Sequence, residues 1–384
     1  MSGTGPTAID GAAPLLEVEG LTMEFRAAQV GARHRDRSVV RAVDNVDLVV
    51  RAGETVALVG ESGCGKSTLA RCILRMYEPV AGTVRLRGTD VLTAGSRELR
   101  ALRRHVQLVF QDPHGAMNPR MRVGDVIAEP LRAHGTTKAE AATRVAELLE
   151  LVGLGAGAAD RMPHEFSGGQ RQRIAIARAL ALEPDLVICD ESVSALDVSV
   201  QAQIINLLQD LQDETGVSFL FISHDMSVVH HMAHRVAVMY LGRVVEEGPC
   251  EELFADPQHP YTRQLLASVP VADPVVERGR RGQSAAVGDV PSPSDRPSGC
   301  VFRTRCPHAI DACAETIPTL VEVGPAHRAA CIRVPLPAEE GVVVVAGDRA
   351  GATAPAPPAE VAVRSTSSDR SDRSDHDEGV PHAR

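Results

Sequence analysis

The sequence is short of positive charge, long apolar runs and closely spaced cysteine pairs, and each shortage excludes a class. Its formal net charge is −10. A general nucleic-acid binder needs a basic surface to neutralise phosphates, so nucleic acid is not an expected partner. No apolar run approaches the roughly 18 residues that span a bilayer, so no membrane-crossing helix is expected. The N-terminal stretch lacks a basic segment followed by an apolar core, so no secretory signal is read and a cytosolic location is expected. The 8 cysteines should then be free thiols or metal ligands rather than disulfides. Close C-x2-C pairs, typical of zinc ribbons, are missing.

What is present is organised around Gly60-Glu61-Ser62-Gly63-Cys64-Gly65-Lys66-Ser67-Thr68. An apolar, β-branched run, Glu54 to Val59, precedes it and reads as a buried strand. Leu69 to Leu74 follows and reads as a helix. In that context G-x-x-x-x-G-K-[ST] is a phosphate cradle. Glycines let backbone N–H groups converge on an anion, and the helix N-terminus adds partial positive charge. Lys66 is expected to reach the β- and γ-phosphates, and the Ser67 hydroxyl to ligate Mg²⁺.

The 384 residues suggest two domains, or one with extensions. Residues 1–14 are Gly/Ala/Thr/Pro-rich and expected to be disordered. Leu15 to Phe25 and Arg41 to Val50 read as strands, with an exposed loop at 26–38 between them. Phe25 either stacks on an adenine or is a core residue. Val84 to Gly88 and His105 to Phe110 are short strands. Gln111 sits at the tip of the second, where ligands bind in open α/β sheets, and its amide could ligate Mg²⁺ or orient a water. Val123 to Leu131 and Lys138 to Val152 have helical spacing, which points to a helical subdomain at about 112–182.

Phe166-Ser167-Gly168-Gly169-Gln170 precedes a helix expected over Ile174 to Leu182. Ser-Gly-Gly there is either a second anion-ready site or a plain Ser N-cap. Eight residues beyond Leu182, the apolar strand Asp185 to Cys189 ends in Asp190 and Glu191. Asp190 suits Mg²⁺, held mostly through water. Glu191 can take a proton from an attacking water. Ser194-Ala195-Leu196-Asp197 opens a helix over Val198 to Glu214, and a further buried strand, Val217 to Ser223, ends at His224. His224 could hydrogen-bond a γ-phosphate or the attacking water. Val236 to Tyr240 and Arg243 to Glu247 form a hairpin.

Residues 15–270 resemble the ATP-binding subunit of an ABC transporter, with every motif in the family's order. The resemblance makes 60–68 the Walker A loop, Gln111 the Q-loop glutamine and 166–170 the signature, with Phe166 where Leu is usual. It makes 186–190 Walker B, Glu191 the catalytic glutamate, 194–197 the D-loop, His224 the switch histidine and Phe25 the A-loop aromatic. Thr68, Gln170 and Asp197 enter the nucleotide site on the same ground. Asn118-Pro119-Arg120-Met121 and His259-Pro260-Tyr261-Thr262-Arg263 are similar to the oligopeptide/dipeptide (and nickel) importer ATPases. The fold implied is an α/β P-loop ATPase core: a mixed sheet with flanking helices, an antiparallel β subdomain and an inserted helical subdomain. A small cysteine-bearing extension follows. The family implies ATP and Mg²⁺ and a head-to-tail dimer, each ATP meeting one subunit's loop and the other's Ser167-Gly168-Gly169. It also implies a second, paralogous ATPase, two membrane permease subunits, an extracytoplasmic substrate-binding protein and a peripheral seat on the cytoplasmic face of the membrane.

Residues 271–334 form the extension, its first part (271–299) rich in Pro, Ser, Arg and Gly. Cys300, Cys306, Cys313 and Cys331 follow in the pattern C-x5-C-x6-C-x17-C. Four thiolates suit an iron–sulfur cluster or zinc, or stay unligated. Related transporter ATPases place a [4Fe–4S] cluster at such an extension, so the resemblance favours iron–sulfur. Residues 335–384, with Pro/Ala and Ser-Asp-Arg repeats, are expected to be a disordered tail.

Overall fold

The computed structural model describes residues 13–27, 38–112, 115–194, 196–269 and 290–335. The expected tails at 1–12 and 336–384, most of the 26–38 loop and the linker over 270–289 lie outside the described residues.

Two sheets carry the chain. The smaller is antiparallel. β1 (Pro14–Ala27) pairs with β2 (Ser38–Arg51) on one side; on the other it pairs with β4 (Ala81–Leu86), which pairs with the short β5 (Thr89–Asp90). β3 (Thr55–Val59) belongs to the larger sheet, whose order is β11-β12-β10-β9-β3-β8-β7-β6. β6 is Val106–Val109, β7 Leu186–Asp190, β8 Ser218–Ser223, β9 Arg235–Tyr240, β10 Arg243–Pro249, β11 Val321–Gly324 and β12 His327–Ala329. From β6 to β9 the pairing is parallel. Every residue of β3, β7 and β8 is buried, which is why these strands read as unbroken apolar runs. Their C-terminal ends lead into Gly60, Glu191 and His224.

The mixed sheet, antiparallel subdomain and helical insert agree with the expected architecture, with boundaries shifted by a few residues. The insert holds helices Val123–Ala133 and Lys138–Leu151. The second is opened by a capping box, Thr137 with Glu140. Val123, Ile127, Leu148, Leu149 and Val152 are all at most 1% exposed, so the predicted apolar face is the packed one. The helix expected from Ile174 runs over Gly168–Leu180, six residues earlier. The Gly-Gly-Gln-Arg start has no apolar period to announce it, but Ser167 caps it through the Gln170 N–H.

The extension joins the larger sheet. β12 pairs antiparallel with β10, Glu246 opposite Ala329 and Glu247 opposite Arg328, and β11 pairs with β12. The fully buried Glu246 carboxylate accepts from the Gln258 N–H at 2.6 Å and the His259 N–H at 2.9 Å, and lies 2.8 Å from His327 Nε2. Arg296 reaches back to the core, donating to Asp44 at 2.8 Å. No described helix is long and apolar enough to cross a membrane.

Candidate active site

The phosphate loop is wedged between two strands. Gly60 has φ +152°, and a Cβ there would lie 2.1 Å from the Met239 carbonyl of β9. Gly65 has φ +112°, and its Cβ would lie 2.1 Å from the Ala42 carbonyl of β2. Only glycine fits at either point. Ser62 and Gly63 are exposed at the loop's tip, and Cys64 is buried, its thiol pushed up by that burial. Lys66 starts the helix Lys66–Ile73, which also carries Ser67 and Thr68. Its ammonium is 3% exposed and donates to the Gly60 and Glu61 carbonyls at 2.7 and 3.0 Å.

Glu191 is where the other strand tips meet this loop. It takes the left-handed φ of +47°, uncommon outside glycine and asparagine, directly after β7. Its N–H donates to Ile222 of β8. Gln111 Nε2 donates to Glu191 Oε2 at 2.6 Å. Lys66 Nζ and His224 Nδ1 stand 3.8 and 3.7 Å from Glu191 Oε1. Three residues from three separate segments therefore converge on one carboxylate that is only 12% exposed. Beside it the Ser67 hydroxyl donates to Asp190 Oδ1 at 2.7 Å. Burial pushes the Asp190 carboxyl up, and the Ser67 bond opposes that shift. Two hard oxygen donors in contact, one a carboxylate whose charge burial penalises, are a fitting seat for Mg²⁺.

The signature stretch is not part of this convergence. Ser167 is spent on its own helix, exchanging bonds with Gln170 at 3.3 and 3.0 Å. Gly168 and Gly169 lie against Leu196 and Val200, beside the Asp197 cap of helix Val198–Thr215. Among the described residues no hydrogen bond joins 166–170 to the phosphate loop. Phe25 stands at the antiparallel sheet, partly buried, its ring 5.4 Å from Tyr77 and edge-on to it.

The four cysteines of the extension line one small cavity with His259 and Phe302. All are free thiols. Burial raises Cys300, Cys331 and Cys306, the last to about 11, and neighbouring thiols add to each shift. They do not stand at ligand spacing: among the described residues no trio of His, Cys, Asp or Glu is arranged to hold a metal ion.

Two contacts of the loop had no signal in the sequence. Arg305 forks onto the Glu61 carboxylate at 2.8 and 3.0 Å, and the Tyr261 hydroxyl accepts from the Glu61 N–H at 2.8 Å. Arg305 was one arginine among cysteines, and nothing in the pattern marked its partner.

Comparison with known proteins places the chain in a family. The ABC transporter family model matches residues 43–194, and the model of the oligopeptide/dipeptide transporter C-terminal region matches 245–313. A protein of Brucella ovis named as a peptide import ATP-binding protein is 51% identical over 321 residues, covering 83% of this chain and 98% of that one. An oligopeptide transport ATP-binding protein of Bacillus subtilis is 50% identical over 321 residues, covering 83% and 95%. Among solved structures, cbiO1 from Clostridium perfringens, part of an ABC transporter complex, superposes with a TM-score of 0.55. It is 28% identical and spans 63% of this chain and 91% of that one. An ATP-binding cassette solved as a dimer with ADP and phosphate gives 0.54 at 28% identity, spanning 61% and 98%. The chain belongs to the ATP-binding subunits of ABC transporters, in the branch that carries the oligopeptide/dipeptide transporter C-terminal region.

Proposed function

We propose that this ATPase drives the import of oligopeptides or dipeptides, paired head-to-tail with a paralogous ATPase beneath two membrane permeases. A substrate-binding protein outside the membrane delivers the peptide, and the chain sits peripherally on the cytoplasmic face. The observation that carries the ATPase mechanism is the meeting of Lys66, Gln111 and His224 on Glu191. The peptide cargo rests on relatives named for peptide import.

In this reading the amides of Gly60 to Thr68 cradle the β- and γ-phosphates, and Lys66 leaves the loop carbonyls to neutralise them. Ser67, Asp190 and Gln111 hold Mg²⁺, which supplies charge neutralisation to the phosphates. Glu191 takes the proton of the attacking water, and His224 and Gln111 hold that water in line. Phe25 stacks on the adenine. Ser167, Gly168, Gly169 and Gln170, with Asp197, complete the partner's nucleotide site. The permease seat is a groove of about 500 Å³ beside the sheet edge, lined by Gln107, Phe110, Met117, Glu129 and Arg178. Residues 15–270 form the ATPase domain and 271–334 a cysteine-bearing extension. Its four thiols, not at ligand spacing as they stand, would have to draw together to hold a [4Fe–4S] cluster, or zinc as the alternative.

The test is a pull-down of the full chain from detergent-solubilised membranes. Co-purifying permeases and a paralogous ATPase support the reading; ribosomes or DNA overturn it. In the purified complex, Glu191→Gln should bind ATP yet turn over about a thousandfold more slowly. Near-normal hydrolysis would remove Glu191 from the base's role. An anaerobic sample with neither iron nor zinc by elemental analysis would remove the metal.

A further inference from the structure

Glu61 is an interior position of the phosphate loop, and three parts of the chain hold it. Its carbonyl accepts from Lys66 Nζ at 3.0 Å. Its N–H donates to the Tyr261 hydroxyl at 2.8 Å, from a residue 200 positions away. Its carboxylate accepts both arms of Arg305, 244 positions away. A forked guanidinium–carboxylate pair fixes orientation as well as distance. The Arg305 side chain is 6% exposed and Glu61 29%, so the pair is only partly screened by water.

Arg305 is itself held in place. Its guanidinium lies 5.8 and 5.9 Å from the rings of Tyr240 and Phe302. Tyr240, Tyr261 and Phe302 pack on one another with centroids 4.6 to 5.4 Å apart. The Arg305 N–H donates to the Phe302 carbonyl at 3.0 Å, and the Cys300 N–H donates to the Cys313 carbonyl at 2.8 Å. The turn from Cys300 to Cys306 is thus a stiff platform that carries Arg305 to the loop.

A backbone cradle binds phosphate well only if its amides already point inward, because ordering them at binding costs affinity. We propose that Arg305 and Tyr261 are positioning residues of the nucleotide site, through which the cysteine-bearing segment holds the phosphate loop ready for ATP. The inference rests on the loop being the ATP site. It predicts an effect on nucleotide affinity, not on the chemical step, because neither residue touches Glu191 or the attacking water.

The experiment measures a fluorescent ATP analogue binding to the full chain, and KM and kcat in the assembled complex. Arg305→Ala and Glu61→Ala should each weaken binding and raise KM about tenfold, with kcat at saturating ATP within about twofold. The double variant should be no worse than either single one. Arg305→Lys, which keeps the charge but not the fork, should fall between. Tyr261→Phe, which keeps the ring, should raise KM about threefold. Should Arg305→Ala fail to fold, Arg305→Lys and Tyr261→Phe carry the test. Unchanged KM in the folded variants overturns the proposal, as does an additive double variant or a loss confined to kcat. Lys66→Ala separates the two readings: if it binds the analogue normally, the ATP-site assignment itself has failed.

Discussion

The phosphate loop and the signature stretch are both glycine-bearing segments at helix N-termini, yet the chain treats them differently. The loop is enclosed by its own chain: β2 and β9 press on Gly65 and Gly60, Glu191 faces Lys66, and Arg305 and Tyr261 hold Glu61. Among the described residues Ser167 bonds within its own helix, and Ser167 and Gly168 remain exposed. One stretch is braced by its own chain; the other is presented outward. Under the proposed head-to-tail pairing, enclosure would mark the half that binds the nucleotide and exposure the half that completes the partner's site.

That contrast can be broken. The largest expected effect is at the loop: Lys66→Ala removes the buried cation and should weaken ATP binding by the isolated chain about a hundredfold, read by analogue titration. Ser167→Arg should leave that binding within about twofold and cut turnover of the assembled complex several tens of fold, because it obstructs only the outward site. Equal loss of binding in both variants would erase the distinction. A third prediction concerns the loop's scaffold. Burial pushes the His259 imidazole down to about 4 from 6.5. Its Nδ1 accepts from Tyr261 N–H, so it supports the residue that holds Glu61. Between those values the unfolded chain takes up a proton that the folded chain refuses. Stability should therefore fall as pH drops from about 6.5 toward 4, by up to roughly 3 kcal/mol. Unfolding midpoints across that range check it, and His259→Gln should flatten the curve. The smallest effect is at the antiparallel sheet: Phe25→Leu should weaken the analogue about fivefold if the ring stacks on adenine, and leave it unchanged if the ring serves only the contact with Tyr77.

The binding loop and the strand tips were legible because their chemistry is local. Buried strands of five or six residues followed at once by Gly60, Glu191 or His224 announce both the buried sheet and the edge where ligands gather. The Ser96–His105 helix was not legible: only Leu102 is buried on it, so no apolar period exists to be read. The β11–β12 hairpin escaped for the same reason, since Val321 and Glu322 are exposed and the pattern does not alternate. Arg305 escaped for another. An ion pair spanning 244 positions leaves no trace in spacing, and its meaning exists only once the chain has folded.

The pairing of β12 with β10 has a practical consequence for anyone shortening this polypeptide. Ending the chain before residue 327 would turn β10 into a sheet margin, with a row of bare amides and carbonyls able to template another molecule. The same cut would strip Glu246 of its imidazole neighbour and leave a buried acid short of a partner. The β12 strand works like the hem of a woven cloth, and trimming it invites the molecules to stick together before any catalysis is measured.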